Sequence, residues 1–169
     1  EKAAYSKNLF NLNKTDKEYP SDKTVYQLFE EQVENCPNNV AVVYEGNELT
    51  YADLNSKSNQ FARYLRSKGV GRESLVVLCL DRSLEMMIAI LGVMKAGGAY
   101  VPVDPDYPLE RIKYILEDTN SKLVLTQSHL IDRLKEFRVR DLVDLDSNCY
   151  DSECTENLLV QNNPTSLAY

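Results

Sequence analysis

Apolar residues recur along the chain in two rhythms, and the points where one gives way to the other mark out its elements. Val25, Leu28, Phe29, Gln32 and Val33 follow helical spacing, with Thr24 and Gln27 as a capping-box pair in front and Pro37 stopping the run. Val40 to Tyr44, VAVVY, is β-branched; a Glu45-Gly46-Asn47 turn and a short return through Thr50 predict an antiparallel hairpin. Thr50 and Asp53 repeat the capping pattern. Leu54, Ser58, Phe61, Ala62 and Leu65 then share one face of a second helix that stops at Gly69.

From Leu75 the pattern changes. LVVLCL, through Leu80, is apolar without alternation, as in a strand covered on both faces. Ser83 can cap LEMMIAILGVMKA, Leu84 to Ala96, which is apolar nearly all round and so predicts a deeply packed helix. There follow a strand from Ala99 to Val103, a helix from Leu109 carrying Ile112, Ile115 and Leu116, and a strand from Lys122 to Thr126. A helix from Ser128 with Ile131 and Leu134, and a strand from Asp141 to Leu145, complete the series. Strand and helix in alternation imply right-handed crossovers and a largely parallel sheet flanked by helices, an α/β fold. Residues 1–20 are polar and end in Tyr19-Pro20, which predicts a linker or surface arm before a folded unit over 21–169.

Gly97-Gly98 lies where a helix ends and a strand begins. Glycines that cradle phosphate follow a strand and open a helix, so this pair is expected to act as a left-handed helix stop, with valine at Gly98 forbidden by a positive φ. Pro102, Pro105 and Pro108 hold the strand exit extended and mark a sheet edge or a loop.

Composition narrows the function classes. At 169 residues and 43% hydrophobic the chain can bury a core, as one domain or one lobe of a larger one. No stretch approaches the roughly 20 apolar residues of a membrane span, and the polar start lacks a secretory core, so a cytoplasmic setting without a membrane partner is expected. The net charge is −7; beyond Arg140 no lysine or arginine occurs, while Asp141, Asp144, Asp146, Asp151, Glu153 and Glu156 all do. That stretch reads as a solvated acidic loop, and no basic face for nucleic acid remains. Cys36, Cys79, Cys149 and Cys154 fit no zinc or redox spacing and read as reduced thiols, and the lone His129 as a surface residue. Asp81, Arg82 and Ser83 follow a buried strand at the end where ligands of parallel sheets lie, a weak pointer against the simpler reading of a helix cap.

No catalytic constellation is visible in these residues, but several stretches carry a resemblance. LTYADLN, Leu49 to Asn55, and MKAGGAYVPVDPDYP, Met94 to Pro108, resemble the first two core motifs of nonribosomal peptide synthetase adenylation domains, in the adenylate-forming enzyme superfamily. TVYQLFEEQVENCPNNVAVVY is similar to the helix and strand before them, FNLNKTDKEYP to the lead-in after an upstream condensation domain, and LERIKYILEDTNSKLVLTQ to the helix and strand that follow.

The resemblance implies the amino-terminal lobe of the adenylate-forming fold. It implies a parent enzyme that joins an amino acid to ATP, giving aminoacyl-AMP and pyrophosphate, and passes the acyl group to the phosphopantetheine thiol of a carrier protein in antibiotic-type peptide biosynthesis. In that family the phosphate-binding loop follows shortly after the match to Leu167-Ala168-Tyr169, with the amino-acid pocket and catalytic lysine later. The chain is therefore expected to stop just before that loop, as a nicked or split enzyme, a deliberately shortened chain or one that continues, and to be inactive alone. No catalytic, cofactor-binding or metal residue is assigned to it. ATP and magnesium would be held mostly by residues beyond Tyr169. Thr50, Tyr51, Lys95, Gly97, Gly98, Tyr100, Pro102 and Asp104 are expected to be architectural. The implied partners are the complementary carboxy-terminal part of the domain, a carrier protein and a condensation domain. Alternatives left open are an aryl- or fatty-acid-activating coenzyme A ligase of the same superfamily, a non-catalytic docking module, and a Rossmann protein lacking its glycine fingerprint.

Overall fold

A computed structural model describes residues 12–137, 139–160 and 162–169, so the first part of the expected arm lies outside the described residues. Helix α1 (Val25–Asn35) opens at Thr24, whose hydroxyl accepts from the Gln27 amide at 3.4 Å while the Gln27 side chain accepts from the Thr24 amide at 2.8 Å. Its buried residue is Tyr26; Val25 and Gln32 face solvent. The apolar stripe is thus narrower than the spacing predicts, because the helix is covered only on the flank bearing Tyr26, Phe29 and Val33.

Strands β1 (Val40–Tyr44) and β2 (Asn47–Thr50) form the expected hairpin. Glu45 and Gly46 both take positive φ, 48° and 81°, the backbone a two-residue hairpin turn needs, so the return begins already at Asn47. Helix α2 (Tyr51–Ser67) is capped by Thr50, which accepts from the Asp53 amide at 3.1 Å; Leu54, Ser58, Phe61, Ala62 and Leu65 are all buried.

The remaining elements are β3 (Leu75–Cys79), α3 (Leu84–Ala96), β4 (Ala99–Val103), α4 (Leu109–Thr119), β5 (Leu123–Thr126), α5 (Ile131–Leu134) after a 3-10 turn, and β6 (Asp141–Asp144). They build a four-stranded parallel sheet in the order β4-β3-β5-β6. Strand period two divides the core. Val76, Leu78 and Leu80 pack with Phe61, Leu65 and Val93 of α2 and α3 on one face, while Val77 and Cys79 pack with Ile112, Leu116 and Leu134 on the other. LVVLCL is the doubly covered strand its composition predicts.

The turn from α3 into β4 divides its work between two glycines. Gly97 ends the helix at φ 104°, the left-handed stop. Gly98 has no positive φ, which corrects the expectation for it. A β-carbon there would lie 2.9 Å from the Ser74 carbonyl, so close approach is what requires glycine at this position.

Strand β4 is an edge strand, as its proline suggests. The Ala99 amide donates inward to Ser74 at 2.8 Å and the Tyr100 amide donates outward to the Ala168 carbonyl at 3.0 Å. By alternation position 102 also faces outward, where proline offers no N–H.

The acidic stretch is not a free loop. Tyr150 is buried with its ring 5.0 Å from that of Phe61, and the backbone beyond it is strapped along α2. Gln60 donates to the Asp151 and Glu153 carbonyls (2.7 and 3.0 Å), Asn59 to Thr155 (2.8 Å), Arg63 to Glu156 (2.7 Å) and Arg66 to Leu159 (3.0 Å). The carbonyls are consumed, which leaves the Asp151 and Glu156 side chains in solvent.

Candidate functional site at the carboxyl edge of the sheet

Parallel strands β3 and β4 end together at a half-open cleft of about 420 Å³, walled by Leu78, Leu80 and Tyr100 and rimmed by Asp81, Arg82 and Asp104. This is the end of the sheet where α/β proteins place ligands. The loop after β3 is firmly held. The Asp81 amide donates to the Gln127 side chain at 2.8 Å, the Asp81 carboxylate lies 2.8 Å from His129 Nε2, and Ser83 caps α3 by accepting from Met86 at 3.2 Å. His129 is exposed as expected, yet it bridges the loops after β3 and β5, a pairing no sequence spacing announces.

Neighbouring carboxylates are also engaged. Asp104 accepts from the Asp106 amide at 2.9 Å, and Ser128 donates its hydroxyl to Asp144 at 2.6 Å and its amide to Asp146 at 2.9 Å. Asp81, Asp104, Asp144 and Asp146 therefore line this edge, and Arg82 makes no ion pair among the described residues. Helices α3 and α4 open at Ser83 and Pro108, without a glycine-rich turn. Such an edge does not fit a triphosphate, which needs cations and several backbone donors aimed at its oxygens. Among the described residues no group of three or more His, Cys, Asp or Glu side chains could hold a metal ion.

The cysteines are free thiols, and burial pushes the Cys79 thiol up to about 11, so it is protonated and unreactive at neutral pH.

The motif residues are placed as structural parts. Thr50 caps α2, Tyr51 packs its ring 5.8 Å from Phe29, Gly97 and Gly98 make the turn, Tyr100 and Pro102 form the sheet edge, and Asp104 holds the loop beyond it. Lys95 is the unexpected one. It is 2% exposed in the apolar helix α3, with its ammonium 3.0 Å from Glu30, 2.5 Å from Asn55 Oδ1 and 2.7 Å from Asn59 Oδ1. Burial lowers its pKa and Glu30 pulls it back up. A lysine between Met94 and Ala96, at the end of the apolar run from Met86, is the sequence signal that points to it.

Residues 29–167 match the family described as AMP-binding enzyme. Gramicidin S synthase 1 of Brevibacillus brevis is 46% identical over 162 residues, which is 95% of this chain and 15% of that protein. Tyrocidine synthase 3 of Brevibacillus parabrevis is 47% identical over 163 residues, 95% of this chain and 2% of that protein. The chain thus spans a small part of the relatives it matches. Among solved structures, the nonribosomal peptide synthetase FmoA3 in its alpha-methyl-L-serine-AMP bound form superimposes with a TM-score of 0.82 at 30% identity, over 90% of this chain and 17% of the other. The N-terminal domain of FACL13 from Mycobacterium tuberculosis shares the fold, with a TM-score of 0.75 at 22% identity, over 83% of this chain and 38% of the other.

Proposed function

Because the chain belongs to the AMP-binding enzyme family and has the fold of its amino-terminal lobe, we propose that it is part of an amino-acid-activating adenylation domain of a nonribosomal peptide synthetase. The observation that carries this reading is 46% and 47% identity to two peptide synthetases along nearly the whole chain, each at 95% coverage. In the complete domain the amino acid carboxylate attacks the α-phosphate of ATP, a bond forms from carboxylate oxygen to phosphorus, and pyrophosphate leaves. The acyl group then passes to a carrier-protein thiol, with release of AMP. The chemistry requires several cationic and backbone donors, whereas the carboxyl edge of this sheet sets Arg82 among four aspartates, so the contribution of residues 21–169 is a rigid lobe. Phosphate loop, magnesium site, amino-acid pocket, carrier protein and condensation domain belong to the remainder of the enzyme. The need for ATP places such an enzyme in the cytoplasm.

Amino-acid-dependent ATP–pyrophosphate exchange, measured on the full polypeptide that carries this segment, tests the reading. Exchange stimulated by an amino acid supports it. Exchange driven by an aryl or fatty acid, followed by coenzyme A thioester formation, transfers the chain to the ligase branch, and no exchange with any carboxylate overturns the activity altogether.

A further inference from the structure

The buried ammonium of Lys95 has three acceptors for its three protons: Glu30, Asn55 and Asn59. Ammonium can only donate, so both amides must turn their oxygens towards it, and their NH₂ groups are forced to face the other way. There they meet Asn157, whose Oδ1 accepts from Asn55 at 2.9 Å and from Asn59 at 2.9 Å, while Asn59 also donates to the Thr155 carbonyl at 2.8 Å. Each amide orientation follows from the one before it, beginning at a group that cannot reverse.

We propose that Lys95 is a positioning residue that sets the polarity of this amide relay, and that the relay is a latch holding residues 155–159 on α2. Three elements meet at it: α1 through Glu30, α2 through the two asparagines, and α3 through Lys95 itself. Arg66, from α2, joins the carbonyls of Lys95 (2.8 Å) and Leu159 (3.0 Å), so the strap is tied to the end of α3 a second time. Among residues 162–169, Ala168 accepts from the Tyr100 amide of β4 at 3.0 Å. Opening the latch frees the strap while the helices and sheet stay folded, because apolar side chains of the two cores hold those.

The test is cleavage of the folded full chain by a glutamate-specific protease, read by mass spectrometry after Glu153 and Glu156, each rate divided by that of the same bond in an unstructured peptide carrying the same substitution, with cleavage after Glu45 and Glu48 as internal reference. Asn157→Leu removes the acceptor; Asn157→Asp keeps it. The leucine variant is expected to be cut at Glu156 at least tenfold faster than the parent and the aspartate variant at the parental rate. Equal rates for leucine variant and parent overturn the latch. Equally fast cutting of both variants overturns the polarity argument and leaves packing as the role of Asn157. Lys95→Met is expected to behave like Asn157→Leu if it folds, and a folded Lys95→Met cut at the parental rate also overturns the proposal. If that variant does not fold, the two Asn157 variants decide.

Discussion

Gly92 of α3 lies directly against the ring of Phe61 on α2: a β-carbon built on it would stand 2.6 Å from Phe61 Cδ1 and 3.3 Å from Cβ and Cγ. Phe61 is wholly buried, and the helices pack there at the closest approach a side chain allows. In an exposed helix Gly→Ala would stabilise by about 1 kcal/mol. Here the sign reverses. Gly92→Ala is expected to cost about 1–3 kcal/mol by overpacking, measured by urea denaturation. Adding Phe61→Leu should recover part of the loss, and an additive or worse double variant would show that the two residues do not share the strain.

Gly98 supplies a second contact of this kind. Gly98→Val must displace the Ser74 carbonyl, Val70 and Val93, all within 3.2 Å of the added carbon, and is expected to lower stability by about 1–3 kcal/mol. Gly97→Ala, strained by its φ of 104°, should cost roughly 1–2 kcal/mol. Gly71→Ala, with nothing within 4 Å, serves as a control within about 0.5 kcal/mol of the parent.

Leu78 is 3% exposed in β3, between β4 and β5. Leu78→Ala is expected to cost about 2–5 kcal/mol. A melting curve that overlays the parent would contradict the central place of β3.

Stability should fall as the solution becomes alkaline. Burial raises Cys79 from 9.0 to about 11 and Tyr150 from 10.0 to about 12, so the folded chain keeps protons that the unfolded chain releases. The stabilisation is complete below pH 9, declines first through Cys79 and then through Tyr150, and each group contributes at most about 1.4 kcal/mol per pH unit. Urea midpoints at pH 8, 9, 10 and 11 measure it. In Cys79→Val the decline between pH 9 and 10 should become shallower, and an unchanged slope there would exclude the thiol as its source.

The chain by itself should neither bind ATP tightly nor exchange pyrophosphate, since the carboxyl edge of its sheet carries four aspartates and no glycine-rich turn. Amino-acid-dependent exchange by the purified 169-residue chain, free of any second polypeptide, would refute this.

What could be read from the sequence was whatever side chains encode by period or by cap. The face Leu54, Ser58, Phe61, Ala62 and Leu65 was legible because five burials fall on one helical stripe, and the sheet was legible because apolar runs alternate with capped helices. The strap was not, because most of its ties are made by its own carbonyls, which every residue possesses, and the one side chain that takes part, Asn157, has no local pattern around it. Gly98 misled for a related reason, since a glycine chosen for close approach looks identical to one chosen for φ. At the carboxyl edge, Asp81 and Ser83 were placed correctly, while Gln127 and His129 arrive from a distant loop without any local signature.

Pro102 has a consequence for how the molecule meets other chains. The outer border of β4 carries one usable amide, at Tyr100, followed by a position that can offer none. With that amide taken by Ala168, an arriving strand finds no further donor along this border of β4. The border works as a keyed socket: it admits its own segment through Ala168 and gives a second copy of the protein little purchase for open-ended stacking.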